Sequence, residues 1–105
     1  MENFWKMIFK TIDIDGVEVI IEQETKGYFI FYFNYKGVPG GSAVSLQTVL
    51  NPPKFEKMAR KRIRKAKAKR MSDLRIVISH NKKHGQKYSH LLSELDAIRK
   101  EMSTK

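Results

Sequence analysis

The residues with the most evident chemical potential are basic. The stretch FEKMARKRIRKAKAKRM, residues 55–71, carries nine Lys or Arg and one Glu. Starting one residue earlier, the set becomes Lys54, Lys57, Arg60, Lys61, Arg62, Arg64, Lys65, Lys67, Lys69 and Arg70. On a helix, like charges three or four residues apart repel by a few tenths of a kcal/mol each. Only Glu56, beside Arg60, offers relief within this stretch. A helix shaped by solubility alone interleaves acids with bases. The near absence of acid points instead to a polyanion, whose phosphates would remove the repulsion and release counterions. Arg75, Lys82, Lys83 and Lys87 extend the candidate surface. Arginines can read base edges in a major groove, but no residue pattern here fixes them there. Affinity is therefore expected to come from phosphate contacts.

Other chemistry has less support. His80 and His84 are four apart, and His90 follows with Glu94 a turn beyond. Histidines at i and i+4 of one helix can bind zinc. Gly85 is expected to interrupt that helix, and no Cys or second carboxylate closes the site. These are expected to be surface histidines that add positive charge below about pH 6.5. The loop GVPGGS lacks the Lys-Ser/Thr ending of a phosphate-binding loop and reads as a turn. No nucleophile motif surrounds any serine. The chain has no cysteine, which removes disulfides, thiolate zinc sites and a cysteine nucleophile. The expectation is a non-enzymatic protein with no metal and no cofactor.

The charge is unevenly placed. Residues 1–50 hold four Lys against six acids, which gives 4 − 6 = −2. Residues 51–105 hold seventeen Lys or Arg against five acids, which gives 17 − 5 = +12. Such asymmetry favours a polyanionic partner for the second half, nucleic acid (DNA or RNA) first and an anionic membrane surface second. No apolar run approaches the length of a membrane span. The opening MENFWKMIFK has an early acid and no small-residue cleavage site, so it does not read as a signal peptide. The absence of cysteine fits a reducing cytoplasm.

Several elements must carry these residues. The length of 105 residues fits one domain, 1–105, with a β-meander over 1–50 and a basic, mainly helical half over 51–105. IDIDGVEVI reads as a hairpin turned at Asp15-Gly16. Ile14 then faces Val17 and Ile12 faces Val19, and these share a core face with Ile21, while Asp13, Glu18 and Glu22 lie opposite. ETKG is a second turn. In YFIFYFNY, alternation puts Phe29, Phe31 and Phe33 in the core and Tyr28, Ile30 and Tyr32 on the other face. KGVPGG reads as a third turn and SAVSLQ as a fourth strand.

Asn51 can cap a helix begun by Pro52-Pro53, which the residue types carry through Met71. Phe55, Ala59, Ile63 and Ala66 make its apolar stripe, widened at the start by Met58. SDLRIVISHN alternates at Leu74, Ile76 and Ile78, and the β-branched content favours a strand over 74–79. The alternative is a helix stopped by KKHG. Tyr88, Leu91, Leu92, Leu95, Ile98 and Met102 recur at helical spacing over 88–102. That stripe is either core or a homodimer contact. The fold class expected is α+β: an antiparallel meander of three to four strands packed on a long basic helix, plus a C-terminal amphipathic helix.

The segment KGYFIFYF partly resembles the RNA-recognition-motif signature, through Lys26-Gly27-Tyr28 and Phe33. It departs from it where Phe29 replaces a small residue and Ile30 a stacking aromatic, and no helix separates the first two strands. The phenylalanines are therefore expected in the core. The leading functional expectation is a small nucleic-acid-binding protein. The alternative is an inhibitor or adaptor that docks on a nucleic-acid-processing enzyme through an acidic surface, as small phage-encoded anti-defence proteins of the anti-CRISPR kind do. The general plan looks like small domains encoded by phages and other mobile elements.

Overall fold

The computed structural model describes residues 7–25 and 28–103. They form an α+β chain: β1 (Met7–Ile14), β2 (Val17–Thr25), β3 (Tyr28–Tyr35), β4 (Val38–Ser45), a short helix α1 (Leu46–Val49), the long helix α2 (Pro52–Lys83) and α3 (Ser89–Ser103). The four strands make one antiparallel sheet in the order β1-β2-β3-β4. The chain divides into two compact units, one up to Ile63 and one from Arg64 onward. The division falls inside α2, not at residue 50 where the charge changes sign.

The first unit is built on two hairpins with the same turn device. At Asp15-Gly16 the φ angles are 53° and 84°, and at Lys36-Gly37 they are 49° and 89°. Two consecutive positive φ values match the right-handed twist of the flanking strands. In each case a side chain three residues before the glycine braces the turn. Asp13 Oδ1 accepts the Gly16 N–H at 2.8 Å, and Asn34 Oδ1 accepts the Gly37 N–H at 2.8 Å. These turns fix the register: Ile14 pairs with Val17, Ile12 with Val19, and Tyr35 with Val38. The expected ETKG turn includes Lys26 and Gly27, which lie outside the described residues.

With register set, parity decides what is buried. Ile14, Val17, Val19 and Ile21 are buried, as are Phe29, Phe31, Phe33 and Tyr35. Val49, Phe55, Ala59 and Ile63 join this core from the helical side. Phe55 meets Phe31 edge to face, with ring centroids 5.2 Å apart, the arrangement that aromatic quadrupoles favour. Ala59 is 0% exposed, as expected where a small side chain lets a helix approach a sheet closely.

The fourth strand starts earlier than its residues suggest. Val38 already pairs with Tyr35, so Pro39, Gly40 and Gly41 lie within β4 and the turn is only Lys36-Gly37. β4 is an edge strand, where a proline without an N–H is tolerated. Gly40 is needed for packing, because a Cβ there would overlap the Phe33 ring. At the far end, Leu46 and Gln47 enter α1 instead of continuing the strand. Ser45 ends it by capping that helix, its Oγ accepting the Thr48 N–H at 3.2 Å.

Asn51 caps α2 as expected, with Oδ1 accepting the Lys54 N–H at 3.3 Å. The strand expected over 74–79 is instead helix, because α2 runs on to Lys83. Leu74 is 2% exposed while Ile76 is 66% exposed, so the alternating set does not share a face. Leu74 and Ile78, four apart, lie on the less exposed side. No Gly or Pro stands between Pro53 and Gly85, and extending an existing helix needs no new nucleation. The stop is the KKHG signal. Gly85 has φ 68°, Gln86 N–H reaches Asn81 O at 2.8 Å and Gly85 N–H reaches Lys82 O at 3.5 Å, the hydrogen-bond pair of a glycine-terminated helix.

The second unit is a helical hairpin. Ala66, Met71, Leu74, Leu95 and Ile98 are its buried apolar residues. Ala66, expected to help seat the helix on the sheet, belongs to this unit and is buried. Polar links cross between the two helices: Lys67 to Glu101 at 3.2 Å, and Arg70 to Glu94 through two bonds of 2.7 and 3.0 Å. Of the stripe considered for a homodimer, Leu95 and Ile98 are buried within this hairpin, Tyr88, Leu91 and Met102 are half-buried, and Leu92 is exposed.

Candidate polyanion-binding surface

The basic residues divide by what holds them. In the first unit, Lys54, Lys57 and Lys61 are exposed and have no acidic partner among the described residues. Their spacing of three and four places them on one face of α2, over about 10 Å of helix axis at 1.5 Å per residue. Arg60 differs. Its Nε lies 3.0 Å from Asp15 Oδ2 at the hairpin tip, and its Nη1 lies 3.6 Å from Glu56. The Asp15 hydrogen bond is the main reason its guanidinium holds its proton even more firmly than usual. Arg62 reaches Ser42 Oγ at 3.4 Å, a neutral partner that leaves its charge uncompensated.

In the second unit, Lys65, Arg75, Lys82, Lys83 and Lys87 are exposed without an acidic partner among the described residues. Arg64 donates to the Met102 carbonyl at 3.5 Å. Lys69 is exposed but lies 3.2 Å from Asp73, one turn on. Lys67 and Arg70 are drawn inward. Lys67 is only 7% exposed, and Arg70 is forked onto Glu94. These two residues, expected on the binding surface, hold the hairpin together.

The other layer of the first unit is acidic and apolar. β2 directs Glu18, Ile20 and Glu22 away from the core, alternating with buried Val17, Val19 and Ile21, and its register shifts between Gln23 and Thr25. β3 adds Tyr28, Ile30 and Tyr32. The Tyr32 hydroxyl donates to Glu22, and that bond chiefly raises the Tyr32 pKa above its ordinary value. Across the register, Gly41 lies opposite Tyr32 and Ala43 opposite Ile30, so the strand beside the tyrosines is low. Asp13, Glu18 and Glu22 were expected on this face. Ile20 was missed, although the parity of Val17, Val19 and Ile21 would have found it.

The histidines form a pair. His84 N–H still donates to His80 O at 3.1 Å, so helical geometry reaches His84 and the glycine break comes after it. The two rings sit 4.4 Å apart by centroid. No third His, Cys, Asp or Glu among the described residues joins them to make a metal cluster. A cleft of about 90 Å³ in the first unit, floored by Ile12, Ile21, Val49 and Phe55, holds only a few waters at about 30 Å³ each. Among the described residues, no helix is long and apolar enough to cross a membrane.

Comparison with protein-family models, curated proteins and solved structures returns no match.

Proposed function

We propose that this chain is a small, non-enzymatic, cytoplasmic nucleic-acid-binding protein that grips phosphate backbone through the exposed basic residues of α2. The observation that carries the reading is the face formed by Lys54, Lys57 and Lys61. Three exposed ammonium groups lie at helical spacing with no acid among the described residues to relieve them. Arg60, in the same unit, does have acids. A surface left unrelieved beside relieved ones has the form of a phosphate cradle, because bound phosphate supplies the missing negative charge and releases counterions. The exposed cations of the second unit add phosphate contacts of the same kind.

The test is titration of duplex DNA, single-stranded DNA and structured RNA at two salt concentrations. Contact with six to ten phosphates gives a slope of log affinity against log salt of about −5 to −9. Absence of binding to all three near about 0.1 M salt overturns the proposal. A pull-down repeated after nuclease treatment separates the inhibitor or adaptor reading, since only a protein partner is retained.

A further inference from the structure

The first unit carries opposite charges on its two layers, and both layers also expose apolar surface. On the helical side, Leu50 is 66% exposed and Leu46 is 39% exposed, four and eight residues before Lys54. On the sheet side, Tyr28 is 47% exposed, beside half-buried Ile20, Ile30 and Tyr32. The margin there is Glu18 and Glu22, and Lys10, the exposed lysine of β1, pairs with buried Ile21 and so belongs to the other side of the sheet. The helical side therefore exposes lysines and leucines, and the sheet face is acidic with an apolar centre.

We propose that the acidic sheet face is the docking surface for the basic α1–α2 face of a second copy of this chain. Charge complementarity selects that occupant. Lys54 and Lys61, about 10 Å apart along α2, would meet Glu18 and Glu22, about 13 Å apart along β2, while Leu46 and Leu50 would cover the Ile20–Ile30–Tyr28 centre. The chain's net charge of +10 opposes association only at long range. At about 0.15 M salt the screening length is about 8 Å, so the contacting patches decide. The contact is heterologous, one face meeting a different face, so copies add head to tail and assembly grows with concentration instead of stopping at a symmetric pair. It requires no nucleic acid, so its failure and the failure of the polyanion reading are separate results.

The test is sedimentation velocity on the nuclease-treated full chain at about 0.15 M and about 0.5 M salt, where screening lengths differ. The sedimentation coefficient should rise with protein concentration at the lower salt and return to the monomer value at the higher. The paired variants E18K/E22K and K54E/K61E should each weaken self-association by at least about tenfold, because like charges then face each other. Mixed in equal amounts they should associate again, since one keeps the basic face and the other keeps the acidic face. Far-UV circular dichroism checks that both remain folded, and E18Q/E22Q serves as a milder sheet variant. Monomer alone throughout, variants that associate like the parent, or a mixture that stays dissociated would each overturn the proposal.

Discussion

Replacing Lys54, Lys57 and Lys61 by Gln separates the free cations from the merely numerous ones. All three side chains are exposed on one face of α2, and none has an acidic partner among the described residues. Each phosphate contact contributes about 0.9 to the slope of log affinity against log salt on B-DNA, so the triple variant should lose about 2.7 from that slope. Extrapolated to about 0.1 M salt, the same arithmetic gives a loss of about 500-fold in affinity if every side chain meets a phosphate. Arg60→Gln is the internal control. Its charge is already met by Asp15 at 3.0 Å and Glu56 at 3.6 Å, so the slope should change far less than for a free lysine. Both pairs are exposed, so the variant should keep nearly the parent's stability. Fluorescence anisotropy with a labelled duplex at four or five salt concentrations reads both slopes. The reasoning is refuted if Arg60→Gln lowers the slope as much as a lysine substitution, or if the triple variant leaves it unchanged.

Further predictions concern the fold that presents this surface. Leu74→Ala should cost about 2–5 kcal/mol in urea unfolding, as deletions at buried leucines do, whereas Ile76→Ala should stay within about 0.5 kcal/mol; comparable losses at both would favour the strand. Glu94→Gln removes the charge facing Arg70 and should destabilise by about 1.5–3 kcal/mol, the range for hydrogen bonds to charged groups, with thermal unfolding as the readout. Tyr32 should titrate above its ordinary value of about 10, and Glu22→Gln should bring it back down, followed by absorbance at alkaline pH. Because that pKa is raised in the folded state, the bond's stabilisation is intact below the unfolded value and is lost as pH rises through the folded one.

Local chemistry made much of the fold legible. Asp15-Gly16 fixed a two-residue turn, and from that turn the parity of Ile14, Val17, Val19 and Ile21 followed. The alternation of Phe29, Phe31 and Phe33, and the Asn51-Pro52-Pro53 helix start, worked for the same reason: each signal lies within a few residues of what it determines. The two misreadings share a cause. Pro39, Gly40 and Gly41 look like a loop in isolation, yet an edge position accommodates the proline and the Phe33 ring requires the first glycine. Leu74, Ile76 and Ile78 look like a strand, yet a helix already formed upstream extends through them until Gly85. In both places the neighbours outweighed local preference.

The candidate surface was legible as charge but not as free charge. Arg60 is relieved by Asp15, 45 residues away, and Arg70 by Glu94, 24 residues away. No spacing rule reveals such partners. Lys67 looks like any other member of the basic run until its pairing with Glu101 removes it from solvent.

Lysine-reactivity footprinting by mass spectrometry, on the full chain with and without saturating nucleic acid, tests the central claim most directly. Lys54, Lys57 and Lys61 should lose reactivity when the polyanion binds, with Lys65, Lys82, Lys83 and Lys87 following, while Lys36 at the β3–β4 turn keeps its own. Unchanged reactivity at Lys54, Lys57 and Lys61 under conditions where binding is demonstrated would contradict the account.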